Sequence, residues 1–191
     1  MLHPHLETVR TRLRPAAEED VPRLYDVLLR LGLHSLPNPE AFARQHGQGV
    51  DAQFAIELKR NGEIIGFSSL QHLSPAGHIQ IGIFTDPELS RLGAGAEAMM
   101  LTVNYGFAKW EQVRKVYFST TEASLPSLGR GMSLIPREAV LPEHLFFQGK
   151  LWDVHFYAIT RDAWLESGAH IVNRLVRGVE QHDPEVLRRG G

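Results

Sequence analysis

The chain has 191 residues, with 20 Lys plus Arg against 22 Asp plus Glu, a formal net charge of -2 and no cysteine. This excludes a disulfide framework, a thiolate-held zinc or iron–sulfur centre and a cysteine nucleophile, and the charge balance provides no field for nucleic acid or an anionic membrane. A chain this long buries roughly 70% of its unfolded surface and needs no disulfide or metal to hold a core.

Val9 to Leu13 alternates (Val-Arg-Thr-Arg-Leu) and predicts a short strand with two outward Arg, ended by Pro15. Glu18-Glu19-Asp20 ahead of Val21, Leu24, Tyr25, Val27, Leu28 and Leu31 predicts an amphipathic helix, with acids where the helix dipole favours them and Gly32 as its stop. Pro37-Asn38-Pro39 opens a shorter helix to about His46, and Gly47-Gln48-Gly49 is a loop. Phe54 to Lys59 then reads as a strand, and Asn61-Gly62 is a strong hairpin signal. The returning strand runs from Glu63 to Leu73, and Pro75-Ala76-Gly77 turns the chain again. From His78 to Phe84, Ile79, Ile81 and Ile83 face one way and His78, Gln80 and Gly82 the other. Three antiparallel strands therefore precede Pro87.

The period then changes from 2 to 3.6. Gly93-Ala94-Gly95 leads into a helix from Ala96 to Trp110, with Met99, Val103, Phe107 and Trp110 on one face. Val116 to Ser119 reads as a buried strand, and Glu122 to Leu128 as a short helix with Pro126 in its first turns. Val140 to Phe147 and Trp152 to Ile159 form a hairpin at Gln148-Gly149-Lys150, and a last helix spans Trp164 to Val179 before a frayed end. The order β-α-α-β-β-β-α-β-α-β-β is an α+β layout, a mixed and mostly antiparallel sheet flanked by helices. Residues 1–165 form one domain, and 166–191 a C-terminal helix and tail.

The segment from Ile81 to Ala98 carries the most chemistry. A strand ends at Pro87, a loop holds Gly93 and Gly95, and a helix starts at once. Backbone N–H groups at a helix start are unpaired and partly positive, and glycines let an anion approach them. Arg91 adds a charged contact, so a diphosphate is the natural guest. No Lys-Ser/Thr follows, so this is not a nucleoside-triphosphate P-loop. A dinucleotide fingerprint would place a third glycine at Ala98 and an acid after the next strand, where Ser119-Thr120 stands instead.

Ser90-Arg91-Leu92-Gly93-Ala94-Gly95, followed by Ala96-Glu97-Ala98, resembles the acetyl-CoA signature of the GNAT superfamily of N-acetyltransferases. Arg12-Leu13-Arg14-Pro15 is similar to the usual start, and Glu143 to Lys150 with Asp153-Val154 resembles the last hairpin of the branch acting on ribosomal proteins and polyamines. The likeness covers about residues 8–165. It implies a GNAT-like fold and acetyl-CoA as co-substrate. It implies that main-chain groups of Ile83, Phe84 and Thr85 bond the pantetheine arm as an added strand does, and that backbone amides of Arg91, Leu92, Gly93, Ala94, Gly95 and Ala96 hold the pyrophosphate, with Ser90 a further cofactor position. Thr121 and Ser127 fall at further cofactor positions. The chain departs from the family at four positions. Ser90 stands where Arg or Gln is usual, Gln80 where many relatives carry a Glu base, and Thr121 and Leu128 where Asn and a proton-donating Tyr are common.

Acetyl transfer needs a neutral amine, a polarised thioester and a route for protons. His78, Gln80 and Ser124 are the catalytic candidates, with His72 as a second base; imidazole titrates near neutrality. Tyr117 and Ser127 can approach the thiol, and Glu122 reads as a helix-start acid. His144 and His155 sit on facing strands and can meet across the last hairpin, as can Glu143 and Asp153. No metal site is expected. The acceptor wall holds His34, Glu40, Arg44, Glu143, His144 and Trp152, a mixed set rather than an acidic one. The sequence thus predicts acetyl transfer to an amine on a peptide, protein or small molecule, by direct attack in a ternary complex. A non-catalytic acyl-CoA sensor is the alternative, and a dinucleotide oxidoreductase a third reading. No targeting or membrane segment is visible, so a cytoplasmic location is expected, and a homodimer is left open.

Overall fold

The alternating stretches become seven strands of one sheet in the computed structural model of the chain. It describes residues 2–33, 36–89, 93–124, 135–147 and 149–180, without the side chains of 178–180. The strands are β1 (Thr11–Pro15), β2 (Val50–Leu58), β3 (Glu63–Ser74), β4 (His78–Thr85), β5 (Lys115–Thr121), β6 (Arg137–Phe147) and β7 (Lys150–Thr160). Their order across the sheet is β1-β2-β3-β4-β5-β7-β6. Every pair is antiparallel except β4–β5, which is parallel. The mixed, mostly antiparallel sheet expected from the sequence is thus present.

The first strand lies two residues later than its alternation suggests. Thr11 and Leu13 are buried while Val9 is exposed, so inward facing begins at Thr11. Pro15 is its last residue rather than a stop beyond it; β1 is an edge strand, where a missing N–H is tolerated. Asn61-Gly62 closes the β2–β3 hairpin with Gly62 at a φ of 70°. Of the two neighbours of β4, β3 follows from the meander, and only β5 is a long-range partner.

Helices α1 (Val21–Arg30) and α2 (Pro39–Gln45) cover one face of the sheet, with Leu24, Leu28 and Phe42 packed over Phe67 and Phe84. Asn38 caps α2 by accepting from Ala41 N–H at 2.8 Å, which is why the helix starts at Pro39. Helix α3 (Ala94–Lys109) covers the other face, against Leu70, Ile79, Ile81 and Val116. The sequence marks one apolar stripe on α3. In the structure Leu101, Thr102 and Asn104 are buried as well as Met99, Val103 and Phe107. Thr102 bonds Ser68 of β3 at 2.9 Å, and segments near the two ends of the chain cover Asn104. Asn104 donates to His3 O at 2.7 Å and accepts from the Trp164 indole at 3.3 Å, so both ends lie against α3.

The last helix is continuous but not uniform. A short α4 (Arg161–Ala163) passes through a π-helical turn at Trp164–Gly168 into α5 (Ala169–Glu180). Trp164 fills the space a side chain on Gly168 would need, with its ring 2.2 Å from that Cβ position. Trp164, Ala169 and Val172 join the same core as α3 and the sheet. Among the described residues, no helix is long and apolar enough to cross a membrane.

The β1–α1 junction is tied by Asp20. Its carboxylate accepts from Arg14 Nη1 at 3.0 Å, Arg14 Nη2 at 2.7 Å and the Ala17 N–H at 2.7 Å. The Arg14 guanidinium holds the Asp20 carboxyl below its usual range. A depressed carboxylate stabilises the fold above its unfolded pKa of about 3.9, and that contribution is lost as pH falls through the folded value. Asp20→Asn is therefore expected to cost about 1–2 kcal/mol at pH 7 and little at pH 2, read by urea unfolding at both. An equal loss at both pH values would show that charge is not what Asp20 supplies.

Candidate active site

The parallel pairing of β4 with β5 is short. It joins His78 to Lys115, Ile79 to Val116 and Gln80 to Tyr117, and then stops. Beyond it, β4 continues to Thr85 on β3 and β5 continues to Thr121 on β7. The two strands therefore form a fork with Gln80 and Tyr117 at its vertex. Asp86 N–H donates to Ile65 O at 2.7 Å, toward β3. Strand alternation then turns the main-chain groups of Phe84 toward β3 and those of Ile83 and Thr85 into the fork. Of the three residues expected to meet a pantetheine arm, Ile83 and Thr85 are the two whose backbone faces the opening. Their N–H and C=O groups can take an extended ligand in the manner of an added strand.

The mouth of the fork leads to the start of α3. Gly93 sits at the helix N-cap with φ of 83°, the left-handed region that favours glycine. The first intrahelical bond is Glu97 N–H to Gly93 O at 3.0 Å, so the N–H groups of Ala94, Gly95 and Ala96 precede it. Ala94 shares one core with Ile81 and Ile83 of β4, so a helix N-terminus and an open strand edge belong to one region, a fit to an anionic head on an amide-bearing arm. Ser90, Arg91, Leu92 and Ser127 lie outside the described residues.

Glu97, only one part of a sequence motif at first sight, is what fixes this turn. It is 4% exposed. Thr8 Oγ1 donates to its carboxylate at 2.5 Å and Thr11 Oγ1 at 3.0 Å; Arg10 Nε adds 2.8 Å and its Nη2 a further ion pair. The outward Arg10 of the sequence reading is therefore a clamp on α3. Asp86 does the same for the end of β4. It is fully buried, faces Arg23 at 3.4 Å and Arg30 at 3.6 Å, and accepts the Glu88 N–H at 3.0 Å. Neither acid announces itself in sequence, because each side-chain partner lies far away along the chain.

On the α1/α2 face of the vertex stand His78, Gln80 and Tyr117. The His78 and Tyr117 rings meet edge to face at 5.7 Å. Lys115 lies over the Tyr117 ring and pairs with Glu138 at 2.6 Å. That contact pushes the Lys115 ammonium up and the Glu138 carboxyl down. Gln80 is reached by His72, whose Nδ1 lies 3.3 Å from Gln80 Oε1. On β5, Thr121 is buried and Ser124 follows it in a turn, with their hydroxyls 3.5 Å apart. Glu122 is exposed in that turn; the rest of the expected 122–128 helix lies outside the described residues.

The two His of the last hairpin do not meet. A bulge between Leu141 and Leu145 intervenes, Glu143 takes a φ of 50°, and its N–H donates to Asp153 at 2.9 Å. The polar pairing of 143 with 153 is what forms. His155 is instead buried opposite Val140, with Arg137 at 3.3 Å and Glu122 at 4.0 Å. Of the expected acceptor wall, Glu40, Arg44, Glu143 and His144 are exposed, and Trp152 is half-buried beneath Lys150 at 3.5 Å. His34 lies outside the described residues.

Residues 10–128 match the family model of the acetyltransferase (GNAT) domain. No curated protein matches by sequence. The fold is similar to a probable GNAT-family acetyltransferase from Chromobacterium violaceum, at 17% identity and a TM-score of 0.65, covering 83% of this chain and 87% of that one. It is similar to mutant forms of the spermidine/spermine N-acetyltransferase SpeG from Vibrio cholerae, at 16% identity and 0.69, covering 82% and 97%. It is also similar to RimL, a ribosomal L7/L12 α-N-protein acetyltransferase solved with coenzyme A, at 18% identity and 0.65, covering 83% and 98%.

Proposed function

The chain belongs to the GNAT acetyltransferase family, and from that premise we propose that it moves an acetyl group from acetyl-CoA to a primary amine by direct attack in a ternary complex. The fork is the observation that carries this reading. The cofactor's pyrophosphate rests on the amides at the start of α3, near the fork's mouth. Its pantetheine arm then runs inward along Ile83 and Thr85, which brings the thioester to the vertex at Gln80 and Tyr117. The amine approaches from the face that bears His78 and Gln80. Its nitrogen bonds the acetyl carbon, the carbon–sulfur bond breaks, the amine gives up a proton and the thiolate gains one. With no cysteine in the chain, no acyl-cysteine intermediate intervenes, and positioning supplies much of the rate.

The acceptor side argues against a polycation. Its described charges are mixed, with Lys115 neutralised by Glu138 and Lys150 held over Trp152. A single amino group, on a peptide or protein terminus or a small molecule, suits such a wall better than a polyamine does. The acetyltransferase unit is taken as residues 1–165, with the following helix laid on α3 as its support.

One observation favours a second reading. Gln80 cannot take a proton, and a sensor that binds acyl-CoA without turnover would not need it to. Release of CoA thiol separates the two readings, measured with polyamines, peptides with free amino termini and small amines. Turnover of a monoamine or peptide above the polyamines is expected. Acetyl-CoA binding with no release on any amine would favour the sensor.

A further inference from the structure

His72 breaks the regularity of β3 in a way the sequence does not signal. The β3–β4 register runs without a slip from Gly66↔Thr85 to Gln71↔Gln80, and then shifts before Ser74↔His78. His72 lies inside that bulge, at a φ of 59°. A non-glycine residue in the left-handed region is disfavoured by about 1–2 kcal/mol, and bulges re-aim side chains that would otherwise follow the strand's alternation. Here the effect is specific. Gln71 is the register partner of Gln80, so in a regular strand His72 would point to the opposite face. The bulge instead brings its Nδ1 to 3.3 Å from Gln80 Oε1, at the vertex of the fork.

We propose that His72 is the residue that accepts the amine proton, and that Gln80 is the positioning residue that orients it. The inference rests on the acetyltransferase reading above. An amide oxygen only accepts hydrogen bonds, so contact with Gln80 Oε1 places the imidazole proton on Nδ1. The lone pair is then on Nε2, across the ring from Gln80. His72 is exposed, so Nε2 is open to an incoming ammonium group and can pass its proton to water. Gln80 thus contributes without titrating, much as a buried acid orients a catalytic histidine but without a charge. His78 is placed differently. It pairs with Lys115 at the closed end of the parallel segment, two residues before the vertex, with its ring against Tyr117.

Polar, titratable and charged groups lie on the strands beside His72. From β2, Asp51 accepts the neighbouring Leu73 N–H at 3.0 Å. From β4 come Gln80 and His78, and from β5 Lys115 and Tyr117, with Glu138 of β6 on Lys115.

The test uses the full chain, imidazole nitrogen NMR and CoA release with the tripeptide amide Ala-Gly-Gly-NH2. In the wild type the His72 ring should be the Nδ1–H tautomer. Gln80→Glu places a carboxylate on Nδ1 and should raise the His72 pKa by about one unit, and the acid limb of kcat/KM should move up with it. His72→Asn keeps a residue that tolerates a positive φ. It should lower turnover about 100-fold or more while leaving the acetyl-CoA affinity unchanged. An Nε2–H tautomer, a His72 pKa unmoved by Gln80→Glu, or full activity in His72→Asn would each overturn the assignment. Acetyl-CoA binding by the wild type is followed separately by thermal shift. Its absence would sink the acetyltransferase reading itself, and the tautomer and titration of His72 would still decide whether Gln80 orients it.

Discussion

Gly93→Asp is expected to weaken acetyl-CoA binding about 100-fold or more, an effect of ~2.7 kcal/mol, while the folded protein persists. The substitution combines two changes that need separating. Gly93 has a φ of 83°, so any side chain there is strained whatever its charge. The space itself is not limiting, since the nearest atom to an added Cβ is Arg10 Nη2 at 3.7 Å. Asn tolerates the left-handed region and matches Asp in volume without its charge. Gly93→Asn should therefore show the strain alone, as a small drop in melting temperature with acetyl-CoA affinity within about tenfold of wild type. Asp adds a carboxylate at the helix N-terminus. There it satisfies the same amides that would hold the pyrophosphate, and it repels the ligand. Titration calorimetry with acetyl-CoA reads the difference between the two variants. Equal affinities for Asp and Asn would mean that no anion rests on the start of α3.

The parts of this site that were legible in the sequence are those written in short stretches. Asn61-Gly62 and Pro75-Ala76-Gly77 specify tight turns, and Gly93-Ala94-Gly95 marks a strand-to-helix junction by residue type alone. The meander and the start of α3 follow from these. Long-range pairing was not legible. The fork exists because β5 parts from β4 after Gln80 while staying on β7, a choice made by register partners 33 to 45 residues away along the chain. The same holds for Glu97, which needs Thr8, Arg10 and Thr11 to become a clamp. His72 was visible as a titratable residue on a strand. Its approach to Gln80 was not, because a bulge reverses the direction that alternation assigns. The burial of Asn104 on α3 had a similar cause, since its partners His3 and Trp164 lie far from it along the chain.

Gly66→Ala should be strongly destabilising for a single added methyl. On sequence, Gly66 is one small residue inside the apolar run Ile64-Ile65-Gly66-Phe67, where alanine would look harmless. In the structure a Cβ at Gly66 would lie 2.1 Å from Phe84 O and 2.8 Å from Thr85 Cα. Both are backbone atoms, so no side-chain rotation relieves the contact. Either β3 or β4 must shift by about an ångström, in a region where Phe67 stacks on Phe84 at 4.8 Å and Asp86 is tied to Arg23. Overpacking of a tight core typically costs 1–3 kcal/mol, and a backbone clash belongs at the upper end, at about 3 kcal/mol. For a chain of this size that is a fall of roughly 6–12 °C in melting temperature. The shift falls on Phe84 and Thr85, and Thr85 contributes one of the open main-chain edges of the fork. Acetyl-CoA affinity should therefore drop with stability, even though residue 66 touches no ligand. Gly82→Ala is the control. Its Cβ would meet the Phe84 ring at 2.9 Å and Ser69 Oγ at 3.0 Å, side-chain atoms that can turn away. It should cost clearly less. A Gly66→Ala protein that melts with the wild type would show that β3 and β4 are not held this close, and the alternation that turns Ile83 and Thr85 into the fork would lose its anchor.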